Sequence, residues 1–119
     1  MINRRQAMVL GGAALAAPAA TWAQDRTVRI IVGFPPGGSV DVVARLLADK
    51  MRVSLQQSVI VDNKPGAGGR LGLRELKRSA PDGNTLVLSP SGALVIHPWL
   101  YENLGYDTVR DFTPIAQAG

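Results

Sequence analysis

The sequence predicts an α/β fold with a parallel sheet. Three observations carry this. Val28-Arg29-Ile30-Ile31-Val32 is β-branched and almost continuously apolar, as a strand covered on both faces should be. Short apolar runs of this kind alternate with helical patterns down the chain, and that alternation requires parallel strands joined by right-handed crossovers. Each run also leads into a turn rich in Gly, Pro and Ser. In order, these are Gly33–Ser39, Lys64–Gly69 and Ser89–Gly92.

The first turn, Gly33-Phe34-Pro35-Pro36-Gly37-Gly38-Ser39, organises the rest. Its prolines fix φ and remove two backbone donors. Its glycines allow backbone angles and close approach that no other residue allows. Gly38 or Ser39 is placed to cap the following helix, expected from about Val40 to Leu55. The first amides of that helix have no partner within it, and its dipole adds partial positive charge there. Such a turn can hold an anion by backbone alone, although a rigid capped turn without a ligand would use the same residues. The helix is expected to bury Val43, Leu46, Leu47 and Met51 as one stripe. Asp41–Arg45 and Arg45–Asp49 are spaced to pair across single turns. For Asp41 there are two readings: an acid in the first helical turn paired with Arg45, or a group that orients the turn or accepts a hydrogen bond from a ligand.

Val59-Ile60-Val61 is the second strand, and Asp62 to Gly69 the second glycine-rich loop. Leu71 to Arg78 is a short helix with Leu71, Leu73 and Leu76. Arg70 is a cation set directly against the glycines of this loop; it is either a surface arginine or a partner for a carboxylate. Ser79 to Gly83 is a turn, and Thr85-Leu86-Val87-Leu88 the third strand. Ala93 to Leu100 is expected as a short helix broken at Pro98. Tyr101 to Asp111 reads as irregular, and Phe112 to Ala116 as the start of a further strand. With that strand left unpartnered, the chain is expected to be the opening part of a longer protein.

Composition narrows the function. Hydrophobic residues make up 46% of the 119 and charged residues 18%, ordinary for a globular domain. Residues 1–23 read as a secretory signal peptide: Arg4 and Arg5, the apolar run Met8–Ala20, then small Thr21 and Ala23 at the cleavage-site positions. The adjacent arginines hint at twin-arginine export. Removing the peptide takes both with it, lowering the formal net charge from +4 to +2. The remaining basic residues are scattered and only 5% of the chain is aromatic, which gives nucleic-acid binding little support. Without cysteine there is no disulfide framework and no lipid anchor on an N-terminal cysteine.

Catalytic and cofactor signatures are weak. His97 is the single histidine and there is no cysteine, so no metal site is expected. No G-x-S-x-G elbow supports a Ser-His-Asp arrangement, and no G-x-x-x-x-G-K-[ST] loop occurs. Gly66-Ala67-Gly68-Gly69-Arg70-Leu71 approaches a dinucleotide fingerprint but has Leu71 at the third glycine position. No cofactor is expected. In an open parallel sheet, ligands bind beyond the carboxyl ends of the strands, where these three turns and their hydroxyls, Ser39, Ser89 and Ser91, converge.

Several motifs in order carry a family resemblance. Phe34-Pro35-Pro36-Gly37-Gly38 with Asp41, Ala44 and Arg45 comes first. Val61-Asp62-Asn63-Lys64-Pro65-Gly66-Ala67-Gly68-Gly69 and Pro81-Asp82-Gly83-Asn84-Thr85-Leu86 follow. His97-Pro98-Trp99-Leu100-Tyr101, Tyr106-Asp107 and Asp111-Phe112-Thr113-Pro114 complete the run. Together they resemble the Bug proteins, the TctC-like extracytoplasmic solute receptors of tripartite tricarboxylate transporters. The resemblance implies a two-lobed periplasmic binding protein without enzymatic activity that delivers a small carboxylate to the transporter's membrane components. Residues 24–119 would form the N-terminal part of its first lobe. It implies ligand contacts at Phe34, Pro35, Gly37, Gly38, Ser39 and Asp41, with Ser89 and Ser91 as neighbours, and a role for Val40 in ligand choice. Asn84, where the family commonly has Tyr, is expected to leave binding unaffected. Two other readings remain: an exported enzyme using the Ser- and Gly-rich turns on a nucleotide or ester, or a non-functional receptor fragment.

Overall fold

The computed structural model describes residues 26–119; the expected signal peptide, residues 1–23, lies outside them. Three strands form one parallel sheet: β1 (Val28–Val32), β2 (Val59–Asn63) and β3 (Thr85–Leu88), in the order β2-β1-β3. Val28 stands opposite Val59, and Arg29 opposite Thr85. The helices are α1 (Ser39–Leu55), α2 (Arg70–Arg78), α3 (Ser91–Val95) and α4 (His97–Leu100), with a 3-10 turn at Ala67–Gly69 before α2. The alternating order read from the sequence is therefore present, and both crossovers return to a neighbour of the central strand.

β1 is central because it is apolar on both faces. Val28, Ile30 and Val32 point one way and pack with Ala44 and Ala48 of α1 and with Val59. On the other face Leu73 of α2 heads a second cluster with Ala93, Leu104 and Tyr106. Ile31, Val32, Val59 and Leu73 are fully buried, each contributing about 1.5–3 kcal/mol.

The buried stripe of α1 differs from the expected one. Asp41, Ala44 and Ala48 face the sheet, whereas Val43 is 36% and Leu46 62% exposed. Small alanines let the helix axis lie close to the strands, and Leu47 and Met51 flank the contact half-buried. Arg45 does not pair with Asp49. It turns inward to Asp41 and Asn63, and Asp49 pairs with Arg52 instead.

The helix after β3 breaks at Ile96 rather than at Pro98, giving α3 and α4. Pro98 sits in the first turn of α4, where its missing N–H costs nothing. It cannot donate to the Leu94 carbonyl, which accepts the Thr108 hydroxyl at 2.9 Å; the Ala93 carbonyl accepts the Tyr106 hydroxyl at 2.5 Å. The strand expected at Phe112–Ala116 does not form. Among the described residues no strand lies beside it to complete a ladder. Phe112 instead packs its ring against Tyr106, 5.5 Å between centroids.

Residues 101–111 are irregular, as expected, and one face of α2 fastens them. Arg74 donates to the Leu104 and Asn103 carbonyls, and Lys77 pairs with Asp111 at 3.1 Å.

Candidate functional site

Parallel strands bring their three following turns to one sheet edge. Two of these turns touch. A Cβ on Gly33 would lie 2.7 Å from the Gly69 backbone, and one on Gly69 only 3.0 Å from the Phe34 ring. Gly72 closes the same contact, since its Cβ would come within 3.1 Å of Gly33. This near-contact of backbones is why glycine is needed on both sides.

In the first turn Gly37 has φ +87°, a conformation that disfavours any side chain. Gly38 is the N-cap of α1, extended at φ −74° and ψ 168°, with no side-chain cap, and Ser39 is the first helical residue. Pro35, Gly37, Gly38 and Ser39 are exposed and Phe34 is half-buried. The first helical bond runs from Val42 N to Gly38 O. Among the described residues no hydrogen bond engages the Gly38, Ser39 or Val40 amides.

Asp41 is the buried centre of the turn. One carboxylate oxygen accepts from the Gly37 amide at 2.9 Å and from Arg45 Nε at 2.8 Å; the other accepts from Asn63 Nδ2 at 2.9 Å. Arg45, the Gly37 amide and Asn63 together lower its pKa to about 2. The carboxylate is thus committed to donors within the chain, which joins its two predicted roles: pairing with Arg45 and orienting the turn. Asn63, at the end of β2, also donates to the Phe34 carbonyl at 3.1 Å and so ties the first turn to the second loop. The sequence reading missed Asn63 as a site residue. Its position after a strand was visible; its strand lying next to β1 was not.

Ser89 and Ser91 follow β3 at the same edge. Ser91 opens α3 and is exposed, while the Ser89 hydroxyl donates to the Pro90 carbonyl at 3.3 Å. His97 stands over the second loop: a Cβ on Gly68 would meet its Cε1 at 3.5 Å. One surface depression borders the second loop, lined by Asn63, Lys64, Pro65, Leu71 and Arg74, and another lies at the amino edge, lined by Arg29, Ile60 and Asp82. The first turn is open surface, and backbone amides can meet an anion there without a cavity. Among the described residues no acidic or histidine cluster suits a metal ion, and no helix is long and apolar enough to cross a membrane.

A parallel sheet with backbone-rich turns gathered at its carboxyl edge defines an α/β lobe of the periplasmic-binding-protein kind. The chain belongs to the tripartite tricarboxylate transporter receptor family, whose model matches residues 43–118, just past the first turn. It is 41% identical over 101 residues to a UPF0065 protein of Bordetella bronchiseptica, covering 85% of this chain and 30% of that protein. Rpa4515 of R. palustris with adipate superposes with a TM-score of 0.71 at 32% identity, over 78% of this chain and 31% of that one. MatC from Rhodopseudomonas palustris with bound malate gives 0.62 at 35% identity, over 74% and 30%. The chain spans about a third of the length of these relatives.

Proposed function

We propose that this chain is the ligand-capturing part of a periplasmic receptor for a small carboxylate, working as a binder and not as an enzyme, and serving a tripartite tricarboxylate transporter. Residues 1–23 would direct export. The observation that carries the reading is the set of uncommitted amides at Gly38, Ser39 and Val40, at a helix start whose own acid, Asp41, is already neutralised by Arg45. An arriving carboxylate finds donors and the positive end of the α1 dipole without displacing an internal bond. Asp41 and Asn63 position the turn, Phe34 and Pro35 form its wall, and Ser89 and Ser91 are neighbouring hydroxyls. A second lobe would close over this open half-site. The adipate and malate held by the two solved relatives are both dicarboxylates and support this ligand class.

The test is calorimetric titration of the complete polypeptide containing residues 26–119 with mono-, di- and tricarboxylates, beside Gly38→Val. A Cβ at Gly38 meets only the Pro35 carbonyl, at 3.6 Å, so the fold should be retained. The valine would obstruct the amides, and affinity should fall at least tenfold, about 1.4 kcal/mol. Unchanged affinity in a folded variant would move the site away from this turn; turnover of the acids, or tight nucleotide binding, would replace the receptor reading with an enzymatic one.

A further inference from the structure

We infer that Arg70 is a specificity-determining residue that receives the second carboxylate of a dicarboxylate, an inference that rests on the proposed carboxylate site at the first turn.

Arg70 opens α2 directly after Gly69, whose backbone abuts the Phe34 ring of the first turn. Its guanidinium is held in place from two directions. Nε donates to the Ala67 carbonyl at 2.7 Å, and the guanidinium carbon lies 3.8 Å from the centroid of the Tyr101 ring. Tyr101 is itself braced by His97, edge-on at 5.3 Å, and His97 rests against Gly68. The three side chains form a shelf over the second loop, with the cation on its outer face.

Two other basic residues of α2 are differently engaged, and Arg78 stands at the helix's far end, about two turns from the second loop. Arg74 and Lys77 point their charged ends at the 103–111 segment. Arg70 uses only Nε; among the described residues its two terminal nitrogens have neither a hydrogen-bond nor an ion-pair partner. A guanidinium with its plane fixed and its outer edge unoccupied has already lost the freedom that binding would otherwise remove, and it matches a carboxylate with two parallel hydrogen bonds. A ligand anchored by one carboxylate on the α1 amides would extend toward this group across the Phe34–Gly69 contact.

The experiment titrates succinate, glutarate and adipate against butyrate, valerate and hexanoate, using the complete polypeptide, Arg70→Gln and Arg70→Lys. The wild type should prefer its best dicarboxylate over the matched monocarboxylate. Arg70→Gln should reduce that preference at least tenfold and leave monocarboxylate affinity within about twofold, which also reports an intact first site. Arg70→Lys should restore the preference only in part, because the charge remains while the fork and the ring stacking are lost. An unchanged preference in Arg70→Gln overturns the assignment and leaves the receptor reading standing. Failure of the wild type to bind any of these acids removes both.

Discussion

Asp41 is the residue on which the first turn depends. Its two oxygens gather a loop amide, a helix arginine and a strand-end asparagine, so one carboxylate fixes the angle between β1, α1 and β2. Because these donors hold its pKa at about 2, below the ordinary 3.8, the ionised form is favoured by folding. The sign follows from linkage: the contribution is complete above about pH 4 and is lost as pH falls through about 2. Asp41→Asn should therefore lower the thermal midpoint at neutral pH, and the gap between variant and wild type should narrow as the medium is acidified. A gap that stays constant from pH 6 to pH 2.5, followed by circular dichroism, would contradict this account. The sequence placed Asp41 in the first helical turn and paired it with Arg45. It did not disclose the Gly37 and Asn63 bonds, which depend on a backbone angle and on strand order.

At the scale of elements, α3 and α4 show how short helices are held. Neither is long enough to be stable alone. The carbonyls left open where the chain bends at Ile96 are taken by side chains from the irregular segment: Tyr106 on Ala93 and Thr108 on Leu94. Tyr106 is buried, so Tyr106→Phe removes a donor from a site that water does not easily reach. That change should cost about 1–2 kcal/mol in urea unfolding of the complete polypeptide, with little effect on ligand affinity, since the lost bond lies among core residues. A change below about 0.3 kcal/mol would mean that the Ala93 carbonyl finds another donor. The helix α1 makes the complementary point. Hydrophobicity favoured its large residues for the contact face, but the sheet chose Ala44 and Ala48, because small side chains permit the closer approach.

Across the whole molecule, the two-sided burial of β1 contrasts with a broad exposed apolar surface. Trp99 is 89% and Val109 87% exposed, and Val95, Ile96, Leu100 and Ile115 are also open to solvent. β3 is half-buried along its whole length and forms one edge of the sheet, with backbone groups on its outer side free to pair. A segment comprising only residues 24–119 should thus be marginally folded and prone to associate, and should bind carboxylates far more weakly than the complete polypeptide. Calorimetric unfolding, sedimentation and ligand titration of that segment provide the check. A sharp, reversible transition in a monomer with micromolar carboxylate affinity would refute the expectation.

The succession of elements as far as β3, the parallel sheet, the three turns at its carboxyl edge and the family were all legible in the sequence. Those properties reside in local patterns: β-branched runs, Gly and Pro placement, and several ordered motifs, each legible without knowledge of neighbours. Tertiary structure alone decided that β1 lies between β2 and β3, which brings Asn63 against the first turn. It also decided that Gly33, Gly69 and Gly72 meet backbone to backbone, that alanines rather than leucines face the sheet, and that Phe112 packs on Tyr106 instead of joining a strand. These outcomes depend on which distant surfaces come together. A hydrophobic period gives the strength of a face, but not the distance at which its partner will stand.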